Sequence, residues 1–383
     1  MTRRRILCTA AFLAVTGLLT ACAGNGPGAA GAQGSDNPQN VRVYLASDTN
    51  IQELWEDTLI PAFTAANPDI GVEVQFDLHG NNQTQTVAKL AAADAQGADP
   101  GIDIVEGDPA QQAGAADLLV DPAGLIPGLS AVAPDIVAAA GPGAVPYRAS
   151  SVLLAYDSTK VPNPPRTLDE LLAWIKANPG QFTYNSPKTG GSGQAFVTTV
   201  LDKFVPPDVR AQMTTGYHKD LESHWDEGWR TLQELNQYVF QGGVYPNGNN
   251  GTLELLASGQ VSMSPVWSDQ FLTGQRNGTI PPTVKALQIS DPPFTGGATP
   301  IGIVKASDRQ ENAAKLIDFL LQPAQQQAIA EKIAGYPVIP LDQLSEEVRT
   351  AFGDARPDQL RPTYFTDHKN DLNNLWDQLV PGH

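Results

Sequence analysis

Hydrophobic positions in this chain switch repeatedly between a period of two and a period of three to four residues. Residues 41–45 are an apolar run that predicts a short strand ending in Ala46-Ser47-Asp48-Thr49-Asn50. Ile51, Leu54, Trp55, Leu59 and Phe63 then fall on one side of a helix, with Pro61 expected to kink it. Asn67-Pro68-Asp69 stops that helix, and residues 72–76 alternate as a second strand. A helix over about 84–96 is broken by residues 97–101, and residues 102–105 form a third strand ending in Glu106-Gly107-Asp108. Strands and helices alternating at these spacings predict βαβ units and a parallel sheet. Ligands of such sheets sit beyond the carboxyl ends of the strands, which marks Ser47, Asp48, Thr49, Glu106 and Asp108 as one wall of a site.

The second half of the chain continues the pattern less regularly. Residues 141–146 are rich in Gly and Pro and predict a passage between two lobes, followed by a strand at 152–156. Thr167-Leu168-Asp169-Glu170 has the spacing of a capping box before a helix to about Ala177. A long helix is expected over 221–240, a short one over 252–257, and a strand over 261–266 that ends in Trp267-Ser268-Asp269. A second Gly/Pro-rich passage at 291–300 precedes a strand at 301–304, and helices follow near 310–321, 324–334 and 372–379.

One stretch, residues 178–201, carries the densest chemistry. It predicts a strand over 181–184, then a loop containing Ser186, Gly190, Gly191, Ser192 and Gly193, then a helix from about Gly193. The glycines let the backbone approach another molecule, and the helix start offers unpaired N–H groups to an anionic or carbonyl group. Trp267, at a strand end among Pro and Ser, offers a flat face to a sugar, an aromatic ring or a cation. Gly190-Gly191-Ser192-Gly193 only half matches a nucleophile elbow, since Gln194 stands where glycine belongs, so a secreted hydrolase is a remote alternative. His79, His218, His224, His368 and His383 show no metal-ligand spacing, and no metal or cofactor is expected.

The chain begins with an expected address. Arg3, Arg4 and Arg5 precede a mostly apolar run to Leu19, and Leu19-Thr20-Ala21-Cys22 follows. That order predicts a secretory leader over residues 1–21, too short for a comfortable membrane span. The ending resembles a bacterial lipobox, which implies cleavage before Cys22 and lipid on its thiol. The arginines also resemble a twin-arginine signal, so the export route is left open. Cys8 and Cys22 are the two cysteines of the chain, so the expected mature domain has no disulfide. Residues 22–40 read as a flexible tether of Gly, Ala, Ser, Pro, Gln and Asn. Loss of the three arginines takes Lys+Arg from 24 to 21 against 41 Asp+Glu, and the net charge from −17 to −20. Such acidity excludes binding of nucleic acid through its phosphates and tilts toward cationic or neutral small ligands. A body of about 340 residues is large enough for two domains.

Four segments resemble the ABC-importer substrate-binding lipoproteins of the extracellular solute-binding family 1 type. They are V-Y-L-A-S with A-F-T-A-A-N-P-D and V-E-V-Q-F; V-P-N-P-P-R-T-L-D-E-L-L-A-W-I-K-A-N-P-G; L-E-L-L-A-S-G-Q-V-S-M-S-P-V-W; and I-G-I-V-K-A-S with N-A-A-K-L-I-D-F-L-L-Q-P-A-Q-Q-Q. With the segment from Lys176 to Phe196, they look closest to a branch related to thiamine, polyamine and iron binders. The resemblance implies an α/β periplasmic-binding-protein type II fold, with a mainly parallel sheet in each of two lobes and two crossover strands. Lobe 1 would be 41–148 plus 300–340 and lobe 2 would be 152–292, with 341–383 as C-terminal helices packing on both. It implies a monomer outside the cytoplasm, held by lipid on Cys22, that delivers a small solute to a membrane permease. The implied ligand residues are Ser47, Asp48, Glu106 and Asp108 from one lobe and Ser186, Gly191, Ser192, Gly193 and Trp267 from the other, with Tyr147 and Tyr245 added. Cationic organic molecules, carbohydrates, anions or phosphorylated compounds, and iron all remain open as solutes.

Overall fold

In the computed structural model, residues 39–352 and 360–381 are described. The expected leader, the expected lipidation site Cys22 and nearly all of the expected tether lie outside them. Strand β1 (Val41–Ser47) buries Val41, Val43 and Leu45 on one face and Tyr44 on the other. It pairs in parallel with β2 (Val72–Leu78) and with β3 (Ile104–Glu106). Between β1 and β2 the helical segment comes in three pieces: α1 (Thr49–Leu54), a π turn over Trp55–Leu59, and α2 (Ile60–Ala66). Pro61 has no N–H to donate, and the π turn directly before it absorbs the misfit that a continuous helix would suffer there. Helix α3 (Gln83–Gln96) leads into β3 and α4 (Asp108–Ala115) leads out of it.

After α5 (Pro134–Ala140) comes β4 (Ala144–Asp157), a strand of 14 residues. The expected passage at 141–146 is therefore partly strand. Residues 144–151 of β4 pair with β7 (Gly296–Ile303), which in turn pairs with β3; residues 152–157 pair with β5 (Met263–Trp267) and β6 (Val284–Leu287). The sheet order is β2-β1-β3-β7-β4-β5, with β6 also on β4. All four partnerships of β4 and β7 are antiparallel. The parallel expectation thus holds at β2-β1-β3, while around β5 and β6 the parallel contacts are single bridges, Phe182↔Met263 and Thr167↔Ser290. The expected strand at 181–184 is reduced to the first of those bridges. Two long strands that run in opposite senses across the molecule set the direction of their neighbours, and this is the α/β architecture with crossover strands.

Two main hydrophobic cores flank the crossing. The first gathers β1, α1, α2 and α12 (Gln310–Leu320) with α13 (Pro323–Ile333) around Trp55, Phe63, Leu316 and Ile329. The second gathers α6 (Leu168–Ala177), α7 (Gly191–Asp202) and α9 (Asp226–Asn236) around Phe182, Phe196, Trp225 and Leu232. Helix α7 is buried at all but two of its 12 positions, which explains its apolar circumference. The expected helix over 221–240 is a 3-10 stretch, Lys219–Trp225, before the shorter α9. Helix α8 (Pro207–Thr215) precedes that stretch, α10 (Gly248–Ala257) leads to β5, and α11 (Ser268–Arg276) leaves it. The C-terminal segment divides: Leu344 and Val348, the latter on α14 (Glu346–Phe352), join the first core, whereas Leu372 and Trp376 of α15 (Thr366–Leu379) join the second. No helix among the described residues is long and apolar enough to cross a membrane.

Candidate functional site

The parallel register of β1 and β3 sets Leu45 opposite Glu106, so the ends Ser47-Asp48 and Glu106-Gly107-Asp108 lie side by side as the sequence pattern requires. Strand β4 passes next to them with an irregularity. Its register to β7 shifts between Pro146 and Arg148, at a proline that cannot donate to the ladder. The consequence is that two consecutive side chains reach the same carboxylate. Tyr147 donates its hydroxyl to Glu106 Oε1 at 2.9 Å, and Arg148 donates Nη2 to the same oxygen at 3.0 Å. Arg148 also donates Nε to Tyr147 Oη at 2.9 Å and Nη2 to Ser47 Oγ at 3.4 Å, and its Nη1 stands 3.5 Å from Asp269 Oδ2 at the start of α11.

This group is out of water. The Glu106 side chain is 0%, Arg148 7% and Asp269 6% exposed. Burial pushes the Glu106 carboxyl upward, against the pull of Arg148 and the hydrogen bond from Tyr147. Burial also opposes the charge of Arg148, but Tyr147, Glu106 and Asp269 outweigh it and hold the guanidinium above its ordinary range. With both carboxylates ionised, two of them around one guanidinium leave the buried group one negative charge in excess.

A second set of contacts joins segments of the two cores directly. Asp48 Oδ1 lies 2.8 Å from His79 Nδ1, and Asp48 Oδ2 accepts from Asn249 Nδ2 at 2.7 Å. Asn249 Oδ1 in turn accepts from Ser192 N at 3.1 Å and Asn185 Oδ1 from Gly193 N at 3.0 Å, and both amide oxygens lie 2.8 Å from Ser192 Oγ, which has one proton to give. The start of α7 is therefore capped by two side-chain amides. Its expected role as an open receptor for an anion is corrected by this geometry: the N–H groups of Ser192 and Gly193 are taken, and both residues are fully or nearly fully buried. Ser192 Oγ faces amides and has no base, so it is no nucleophile.

The other expected site residues divide. Gly191 and Trp267 do meet: a Cβ on Gly191 would stand 2.7 Å from Trp267 Cζ2, so glycine is what lets the half-buried indole lie on the helix start. Asp108 Oδ1 accepts from Lys369 Nζ of α15 at 2.9 Å, and Lys369 also reaches Gln111 Oε1 at 3.1 Å. Tyr147 is wholly buried; its hydroxyl bonds to Glu106 and Arg148, and the Arg148 guanidinium carbon lies 5.4 Å from its ring centroid. Ser186 shapes the turn before α7, its carbonyl accepting from Thr189 N at 3.0 Å. Tyr245 is corrected to a packing role, edge-on to Tyr184 and Trp376 with its hydroxyl on Asn236 Oδ1 at 2.5 Å.

Several polar atoms at the junction have no hydrogen-bond partner although buried: Glu106 Oε2, Gln270 Oε1, and both Nδ2 and Oδ1 of Asn50. Buried polar groups are paired in the great majority of cases, so a concentration of exceptions marks a place built for something else.

The sequence profile described as bacterial extracellular solute-binding protein matches residues 58–351. The chain belongs to that family. Solved structures agree in fold. A solute-binding protein of an ABC transporter from Thermotoga lettingae, bound with alpha-D-tagatose, is 16% identical at a TM-score of 0.67, over 89% of this chain and 94% of that one. The apo ferric ion-binding protein A of Pasteurella haemolytica is 14% identical at 0.65, over 89% and 98%. An ABC transporter structure from Clostridium perfringens is 16% identical at 0.64, over 89% and 99%. No curated protein matches by sequence. Proteins of this family are solute binders rather than enzymes.

Sequence reasoning about this solute-binding protein missed Arg148, Asp269, Asn249, His79 and Asn50. Arg148 carries the clearest signal in retrospect, a lone cation in the run Tyr147-Arg148-Ala149-Ser150-Ser151-Val152 that has to find a buried carboxylate. Among the described residues one acid trio, Asp99, Asp103 and Asp308, is close enough to hold a metal ion. Arg42 already bridges Asp99 at 2.7 Å and Asp103 at 2.6 Å there, beside the start of β1 and away from its carboxyl end. Two surface grooves, about 500 Å³ beside Pro162 and Trp174 and about 510 Å³ beside Ala133 and Pro337, hold none of the expected residues.

Proposed function

We propose that this protein is the solute-capturing component of an ABC importer, tethered outside the cytoplasm by lipid on Cys22. It takes a small polar solute between two lobes and presents the closed form to a membrane permease. Lobe 1 is taken as 41–148 with 300–340 and lobe 2 as 152–292, with the C-terminal helices of 341–383 divided between the two cores. Binding is a hinge equilibrium in which the solute favours the closed form because it touches both lobes. The observation that carries this reading is the junction itself, where Asp48 bonds directly to Asn249 beside four unpartnered buried polar atoms. Family membership supplies the solute-binding class, and the structural neighbours named for ABC transporters supply the importer.

Small-angle scattering of the soluble domain is expected to show a smaller radius of gyration when its solute is added. At 100 times the dissociation constant the solute adds about 2.7 kcal/mol to stability, readable as a rise in thermal midpoint. A solute that stabilises without compacting the protein would count against closure. Trp267→Ala is expected to weaken binding about tenfold, roughly 1.5 kcal/mol for a lost aromatic face. Unchanged affinity by calorimetry would remove the indole from the site.

A further inference from the structure

From the junction's charge and its unpartnered atoms we infer that the solute carries a cationic, hydrogen-bond-donating head group, an ammonium or a guanidinium. The inference rests on the binding reading above and names the chemistry of the same site. Contacts there close on themselves. Ser47 meets Arg148, Arg148 meets Asp269, and the next residue, Gln270, donates Nε2 to Asn250 Oδ1 at 2.9 Å. Asn250 Nδ2 reaches Thr49 Oγ1 at 3.5 Å, two residues from Ser47. Of the residues with unpartnered atoms, Gln270 lies on this ring, Glu106 is bonded to it through Arg148, and Asn50 follows Thr49 in the chain.

Acceptors outnumber donors among the four unpartnered atoms. Gln270 Oε1 is an amide oxygen, and Glu106 Oε2 belongs to an acceptor-only group whenever it is ionised. Asn50 supplies one acceptor and one donor in either orientation of its amide. A solute rich in donors fits this set. Charge narrows the class further. When ionised, Glu106 and Asp269 exceed Arg148 by one, and a cation arriving with the ligand would favour that ionised, paired form over a buried neutral Glu106. Asp108 is already paired with Lys369, so it does not change the balance.

The same geometry disfavours the other classes. An anion would need the α7 start, which Asn249 and Asn185 cap, or Arg148, whose nitrogens face Glu106, Tyr147, Ser47 and Asp269. A neutral polyol can satisfy the acceptors but leaves the excess negative charge buried. The only acid trio close enough for a metal ion among the described residues surrounds Arg42 instead.

Calorimetry with putrescine and agmatine as cations, tagatose and glucose as polyols, and inorganic phosphate and citrate as anions tests the class. At least one amine is expected to bind, and Glu106→Gln and Asn50→Ala are each expected to weaken it about tenfold or more, the scale of a lost bond to a charged group. Asn50→Ala breaks no hydrogen bond in the folded protein and removes two unpartnered buried polar atoms, so its thermal midpoint without solute should not fall below wild type. It therefore separates binding from folding if Glu106→Gln folds poorly. A polyol or anion that binds and compacts the protein while the amines do not would overturn the cation and leave the binding reading intact. Amine binding indifferent to both substitutions would overturn the site. Failure of all three classes to bind would count against cation and binding reading together.

Discussion

Arg148→Met is expected to be the most destabilising single change at the junction, by about 3–5 kcal/mol, the usual cost of leaving a buried charge without its partner. The arginine is the one cation between the fully buried Glu106 and the nearly buried Asp269, and methionine matches its stem but returns neither charge nor donors. A loss of this size is a large part of the 5–15 kcal/mol that typically holds a domain together. Denaturant titration should show a lower midpoint at an unchanged slope. Adding Glu106→Gln to Arg148→Met should recover part of the loss, because it removes the stranded carboxylate. A single mutant within about 1 kcal/mol of wild type would mean that solvent reaches this group and the charge argument fails.

Legibility in the sequence followed periodicity. The strands at β1, β2 and β3 and the helices at α3, α6, α12 and α13 were readable because each pairs a simple hydrophobic period with a clear stop, such as Asn67-Pro68-Asp69 or Gly97. The strand ends Ser47, Asp48 and Glu106 followed from the parallel register, which is a consequence of local βαβ order. What periodicity hides is distance in sequence. Asp48 meets Asn249 across 201 positions, and Lys369 meets Asp108 across 261. No local signal joins such residues. The start of α7 shows the same limit in another form: Gly-Gly-Ser-Gly reads as an open anion receptor, and only the fold brings Asn249 and Asn185 to cap it. Trp267 and Gly191 were singled out separately for flatness and for smallness, and the structure makes these one feature, an indole lying on a bare backbone.

Gly248→Ala is expected to cost about 100-fold in solute affinity, roughly 2.7 kcal/mol, without contact to the solute. Gly248 opens α10 at φ +74°, a conformation that already disfavours any other residue. A Cβ there would stand 2.6 Å from Cε1 and Nε2 of His79, the ring that holds Asp48 in place for Asn249. The two penalties can be told apart. Backbone strain, about 1 kcal/mol, acts in open and closed forms alike and appears as lost stability. On the proposed hinge, the collision with His79 exists only in the closed form, so it would subtract from closure and hence from affinity. His79→Ala removes the ring, and in the double mutant with Gly248→Ala the affinity should come back toward that of His79→Ala alone. Calorimetry on the four proteins reads the coupling directly. Additive losses, with no recovery in the double mutant, would show that His79 and Gly248 do not meet when solute is bound, and the direct Asp48–Asn249 bond would then have no part in holding the lobes shut.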